Sequence, residues 1–163
     1  REALPDGANG WTRFRLSSAT VIHHEVAIFV TLIMLVIVSR GLPNQTGAAA
    51  FVILFAMRLS TKFNIFLGVP NFSSDILPPQ LAYLKSYFRN RRFNALMPFS
   101  LLAGTALTWW LGSMALTLPG DAAIGYTLLA AIAALRVVEH LFLVLPIGDT
   151  ALWRWAIPNA KRI

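Results

Sequence analysis

The stretch Ala122-Ala123-Ile124-Gly125-Tyr126-Thr127-Leu128-Leu129-Ala130-Ala131-Ile132-Ala133-Ala134-Leu135-Arg136-Val137-Val138-Glu139-His140-Leu141-Phe142-Leu143-Val144-Leu145 decides the fold. It is long and apolar enough to cross a bilayer, yet it carries Arg136, Glu139 and His140 near one end. Ionisable groups inside hydrocarbon are costly, so they face a protein interior, pair with each other and mark function. Two further apolar stretches share the pattern. One holds His23, His24 and Glu25, the other Arg58 and Lys62.

Composition agrees with a membrane chain. The 163 residues are 56% hydrophobic and 13% charged, with a mean hydropathy of +0.62. A soluble domain of this length would be roughly 25% charged. The net charge of +7 has the size of a nucleic-acid signal. Most Lys and Arg, however, flank the apolar stretches, as cytoplasmic loops require, so no nucleic-acid partner is expected. The absence of cysteine excludes disulfides, thiolate metal sites and Cys nucleophiles. The opening segment is polar and ends in Arg13 and Arg15, which is not a signal peptide. A start at Arg1 suggests part of a longer protein.

Four spans are predicted, at 16–39, 45–67, 95–118 and 122–145. Each has roughly 23 residues, enough for about 30 Å of hydrocarbon. Gly41-Leu42-Pro43-Asn44 and Pro119-Gly120-Asp121 are turn sequences, so the spans pair as two antiparallel hairpins. The expected class is an all-α membrane protein with four transmembrane helices and an interfacial amphipathic helix between the hairpins. Its segments are a cytoplasmic amino-terminal segment 1–15, a hairpin 16–67, a cytoplasmic loop 68–94, a hairpin 95–145 and a cytoplasmic tail 146–163.

The loop helix is expected over 80–93, opened by Pro78-Pro79. Leu81, Leu84, Tyr87 and Phe88 form its apolar side, and Lys85, Arg89, Arg91 and Arg92 its basic side. Such a helix lies in a membrane interface or packs on its own bundle. Basic residues before the first span, in this loop and at Arg154, Lys161 and Arg162 place both ends in the cytoplasm. Trp153 and Trp155 then anchor the interface.

The charged residues fall at one depth. His23, His24 and Glu25 lie roughly 10–14 Å in, Lys62 about 7 Å, Arg58 about 13 Å, and the 136–140 group roughly 7–14 Å. Arg58 and Lys62 share a face, with Asn64 offset, and Arg136 shares one with His140. Three cations face two carboxylates, so Glu25 and Glu139 are each expected to meet a cation of another helix, Arg58 and Lys62 first. One cation is left to snorkel outward or meet an acidic ligand. The pairs can simply hold helices in register. They can also build a site. His23, His24 and His140 are the candidates to ligate a metal or a tetrapyrrole centre. Carboxylate-bridged metal sites use Glu-x-x-His, whereas here the pairs His24-Glu25 and Glu139-His140 are adjacent, which argues against a metal. An anionic lipid or an acidic tetrapyrrole precursor held by the spare cation is the remaining reading. No phosphate loop, nucleophile elbow or other catalytic motif is present.

The run Met57-Arg58-Leu59-Ser60-Thr61-Lys62-Phe63-Asn64-Ile65-Phe66-Leu67-Gly68-Val69-Pro70-Asn71 resembles the most characteristic stretch of the PuhE family of photosynthetic complex assembly proteins. Leu77-Pro78 with 81–89, Phe93-Asn94-Ala95-Leu96-Met97-Pro98, His24-Glu25, 139–146 and Ala151-Leu152-Trp153-Arg154-Trp155 resemble it as well. His23 and Arg136 depart from the family pattern. The resemblance covers nearly the whole chain and implies the carboxy-terminal part of a longer protein. It implies a factor of the bacterial inner (intracytoplasmic) membrane that assembles, or stays bound to, the reaction centre and core antenna. Reaction-centre and antenna subunits and membrane lipids would be its partners, and bacteriochlorophyll its cofactor. The competing class is a membrane-embedded metal-dependent oxidoreductase acting on pigment, quinone or carotenoid.

Overall fold

The computed structural model describes residues 3–5, 7–71, 79–89 and 91–145. It contains α1 (Gly10–Ser39), α2 (Thr46–Leu67), a 3-10 helix (Pro79–Tyr87), α3 (Leu96–Thr117) and α4 (Gly120–Phe142), with no strand among the described residues. All four α-helices are long and apolar enough to cross a membrane, and the chain is a multi-pass membrane protein. Pro78, Trp153, Trp155 and the tail 146–163 lie outside the described residues.

Two boundaries differ from expectation. α1 starts at Gly10, not residue 16, because Asn9 caps it: its side chain accepts from the Thr12 N–H at 2.8 Å. Arg13 and Arg15 therefore belong to α1 rather than to a separate leading segment. α4 stops at Phe142, three residues early. There Asn71, in the turn after α2, donates from its backbone to Leu143 O at 3.3 Å and from its side chain to Phe142 O at 3.0 Å. A helix end leaves carbonyls without partners, and Asn71 supplies donors to them.

The loop helix is also corrected. It is a 3-10 helix ending at Tyr87, not an α-helix reaching Phe93. Leu81, Leu84 and Tyr87 are three apart, which is the repeat of a three-residue turn. Tyr87 is buried, whereas Leu81 is exposed and Phe88 lies beyond the helix. Arg89, Arg91 and Arg92 fall after the helix, so it has no basic face of the expected kind.

Neighbouring helices run antiparallel. Phe14 meets Phe66 and Phe29 meets Phe55 between α1 and α2. Trp110 meets Tyr126 between α3 and α4. The apolar core is Ile53, Met57, Leu111, Leu129 and Ala133, where α2, α3 and α4 meet. α1 lies outside this core and packs on α2 and the loop helix. Most of its apolar side chains, including Phe29, Val30, Met34 and Ile37, are exposed at the bundle surface.

Close approach depends on two glycines. A Cβ on Gly125 would lie 2.6 Å from Thr46 Oγ1, and one on Gly104 would lie 2.9 Å from Val137 Cγ2. Gly112, on the same helix as Gly104, has nothing within 4 Å. Gly125→Val should therefore destabilise the protein by about 1–3 kcal/mol. Gly112→Val should leave the unfolding midpoint in mild detergent nearly unchanged. Equal effects of the two substitutions would contradict this packing.

Candidate functional site

Five polar side chains of α2 point at three different helices. A helix turns through 3.6 residues, so positions four apart share a face and neighbouring positions diverge. Arg58 and Lys62 form one face. Ser60 and Asn64 form the next, and Thr61 lies between.

The first face meets α1. Glu25, buried there, accepts on Oε1 from Arg58 Nη2 at 3.3 Å, Arg58 Nε at 3.4 Å and Lys62 Nζ. Its Oε2 is buried without a hydrogen-bond partner. The Glu25 side chain is only 11% exposed, while Arg58 and Lys62 remain 39% and 33% exposed. Two cations thus share one carboxylate oxygen at the edge of the bundle.

The second face meets α3 and α4. His140 is 1% exposed. Its Nδ1 lies 2.9 Å from Arg136 O, and a carbonyl only accepts, so Nδ1 carries the proton. Nε2 lies 3.0 Å from Ser60 Oγ, within hydrogen-bond distance. Ser60 Oγ is also 3.0 Å from Ser100 Oγ of α3, which receives Asn64 Nδ2 at 3.0 Å. Both ring nitrogens are engaged, so this arrangement leaves His140 none for an outside ligand.

Thr61 donates to Glu139 Oε1 at 3.2 Å. The cation on Glu139 is Arg136 of its own helix, one turn back. The expected pairing of Glu139 with another helix is therefore corrected: Arg58 and Lys62 both turn to Glu25, on a different face of α2 from Thr61. A neighbour at i−3 lies within reach at small entropic cost, so Arg136 neutralises Glu139 locally. His23 and His24 are exposed on α1. The described residues hold no group of three or more His, Asp or Glu side chains able to grip a metal.

The network continues into the loop. Asn94 accepts the Met97 N–H at 2.9 Å and donates to Gly68 O at 2.7 Å, tying the start of α3 to the end of α2. Gly68 has φ +118°, and a Cβ there would sit 2.9 Å from Arg89 O. Only glycine fits both conditions. Arg13 is buried against the ring of Phe66, at 4.0 Å, and donates to Tyr87 O at 3.1 Å. Lys85, Arg89, Arg91 and Arg92 are exposed around it. Sequence reading passed over Ser60, Thr61, Asn71, Asn94 and Ser100. The four-residue spacing of Ser60 and Asn64 was the available signal, since it repeats that of Arg58 and Lys62.

Chemically the cluster is a set of interhelical fasteners with one excess positive charge on its α1 side. Removing one partner from a buried pair costs about 3–5 kcal/mol, because the other charge is left uncompensated. Glu25→Ala strands two cations and loosens α1, which has no other polar link to α2 among the hydrogen bonds described. It should lower the unfolding midpoint more than Glu139→Ala, which strands one cation, Arg136, rather than two. Asp121→Ala, in the exposed first turn of α4, should change least. Thermal unfolding of the three purified variants checks the order.

This chain is similar to an uncharacterized 30.4 kDa protein in the puhA 5' region of Rhodobacter capsulatus, with 36% identity over 162 residues. The overlap covers 99% of this chain and 59% of that relative, so the chain spans less than two thirds of the relative's length. No solved structure matches it. A family described as protein of unknown function (DUF3623) matches residues 1–163, from end to end. The chain belongs to this DUF3623 family.

Proposed function

We propose that the protein is an integral membrane factor that assembles, or stays bound to, the bacterial reaction centre–core antenna complex. The observation that carries this reading is the division between its inside and its outside. The polar side chains of α2 are used on other helices of the same chain, whereas the flanks of α1, α3 and α4 present large apolar groups outward. Trp109 is 80% exposed and Leu116 is 90% exposed. A bundle of this kind acts through contact with other transmembrane helices. The PuhE-like run from Met57 to Asn71 and the relative's place in the puhA 5' region support the photosynthetic setting.

Between α3 and α4 runs an apolar groove of about 530 Å³, lined by Thr105, Thr108, Trp109, Gly112, Leu116 and Thr127 among others. Small residues let a partner helix approach closely. Of the small side chains on α3, Gly104 is consumed by packing inside the bundle, and Gly112 opens on the groove. His23 and His24, exposed on α1, are the candidate ligands for bacteriochlorophyll at a contact with a partner. The setting is the bacterial inner (intracytoplasmic) membrane. The end bearing Arg13, Arg15, Lys85, Arg89, Arg91 and Arg92 faces the cytoplasm, as the positive-inside rule requires.

Reporter fusions test the orientation. Fusions after Arg92 and after Ile163 should read as cytoplasmic, and one in the Pro43 turn as periplasmic. Like readings at Pro43 and Arg92 would end the four-span arrangement.

A deletion strain tests the role. It should accumulate less reaction-centre–antenna complex while still making free bacteriochlorophyll, and the tagged protein should co-purify with photosynthetic subunits from mild detergent. Arrest of pigment synthesis at one defined precursor would instead favour an enzyme.

A further inference from the structure

The α1–α2 face carries a charge that no carboxylate neutralises among the described residues. Arg58 and Lys62 converge on the single oxygen Oε1 of Glu25. No other carboxylate meets either cation among the described residues, since Glu139 is held by Arg136. The trio therefore keeps one excess positive charge. Lys62 lies about 7 Å and Arg58 about 13 Å from the end of α2, inside the apolar span. Both side chains are partly exposed at the bundle surface, and Glu25 is not. Arg58 uses Nε and Nη2 on Glu25, and the remaining guanidinium N–H groups are available. Lys62 likewise keeps two of its three donors.

An uncompensated cation at this depth is costly, and long basic side chains relieve the cost by reaching toward the interface or by meeting an anion. The nearer interface is the strongly basic end of the bundle. Phe14 packs on Phe66 there, which brings the start of α1 beside the end of α2. Arg15, Lys85, Arg89, Arg91 and Arg92 are exposed at the same end. Together they make a field that concentrates anionic amphiphiles near Arg58 and Lys62. Arg58 and Lys62 offer donors for an acid group, and the flanking apolar faces of α1 and α2 offer a path for a chain. The two cations are partly exposed at the surface, and the Glu25 carboxylate lies more buried behind them.

We infer that Arg58 and Lys62, positioned by Glu25, form an intramembrane site for the acid group of an anionic amphiphile, a phosphodiester or a carboxylate. The site does not depend on the photosynthetic role. The acid group lies against Lys62 Nζ and the outer guanidinium edge of Arg58, and its chain lies along α1.

The test measures binding and thermal stabilisation of the intact protein in neutral detergent with three added amphiphiles. These are phosphatidylglycerol, a long-chain fatty acid and phosphatidylcholine as the control. Phosphatidylglycerol or the fatty acid should bind and raise the unfolding midpoint, and phosphatidylcholine should not. Which of the two acids binds more tightly identifies the natural head group as phosphodiester or carboxylate. Lys62→Gln keeps the Arg58–Glu25 pair and removes the excess charge, so it should weaken anion binding about tenfold. Glu25→Gln adds to the excess, so any folded fraction should bind the anion more tightly and regain stability on its addition. These opposite signs separate a ligand site from a merely structural pair, for which both changes would only destabilise. Equal binding of phosphatidylcholine, or unchanged anion binding in Lys62→Gln, would overturn the inference.

Discussion

Everything in this bundle hangs on the polar face of α2. Hydrocarbon offers no water, so a buried polar side chain must find its partner within the protein. Between Arg58 and Asn64 the helix turns through nearly two rounds, and its polar groups fan out to all three neighbours. Arg58 and Lys62 hold α1 through Glu25, Thr61 holds α4 through Glu139, and Ser60 and Asn64 hold α3 and α4 through Ser100 and His140. Each of the neutral hydrogen bonds is worth little by itself, since intramembrane hydrogen bonds average roughly 0.6 kcal/mol. Their joint effect is register: sliding one helix by a turn would leave several groups unpaired at once.

The same constraint explains why the three-helix core and α1 differ in character. α2, α3 and α4 share an apolar centre at Ile53, Met57, Leu111, Leu129 and Ala133, with glycines where the backbones come closest. α1 shares none of it. It is held by aromatic contacts at Phe14 and Phe29 and by one carboxylate facing two cations. An edge helix attached this way leaves most of its own circumference to lipid or to another protein. That geometry is what links the fold to a role in assembly, and it places the excess charge where a ligand from the bilayer can reach it.

The loop 68–94 is more than a connection. Gly68, Asn71, Asn94 and Arg13 clamp the basic end of the bundle, where α1 begins and the other helices end or restart. Arg13 combines a ring face and a backbone carbonyl, the two partners a guanidinium can satisfy together when it is buried. One arginine of the basic end is thereby structural, while Arg89, Arg91 and Arg92 stay at the surface.

The four spans, the helical class and the candidate charged residues were determined by the sequence alone. Hydrophobic length and the cost of intramembrane charge act locally, residue by residue, and need no knowledge of neighbours. The shared face of Arg58 and Lys62 was legible for the same reason, being a property of one helix. Which carboxylate they choose was not. Glu25 and Glu139 lie at similar depths, and only the packing of α1 and α4 against different faces of α2 assigns both cations to Glu25 and leaves Glu139 to Arg136. The enclosure of His140 and the outward placement of His23 and His24 were likewise decided by packing, since each histidine sits in an apolar helix that would read identically facing either way. The three-residue repeat of Leu81, Leu84 and Tyr87 was open to two helix types. The contacts of Tyr87 with Arg13 and of Ser86 with Leu4 accompany the tighter one.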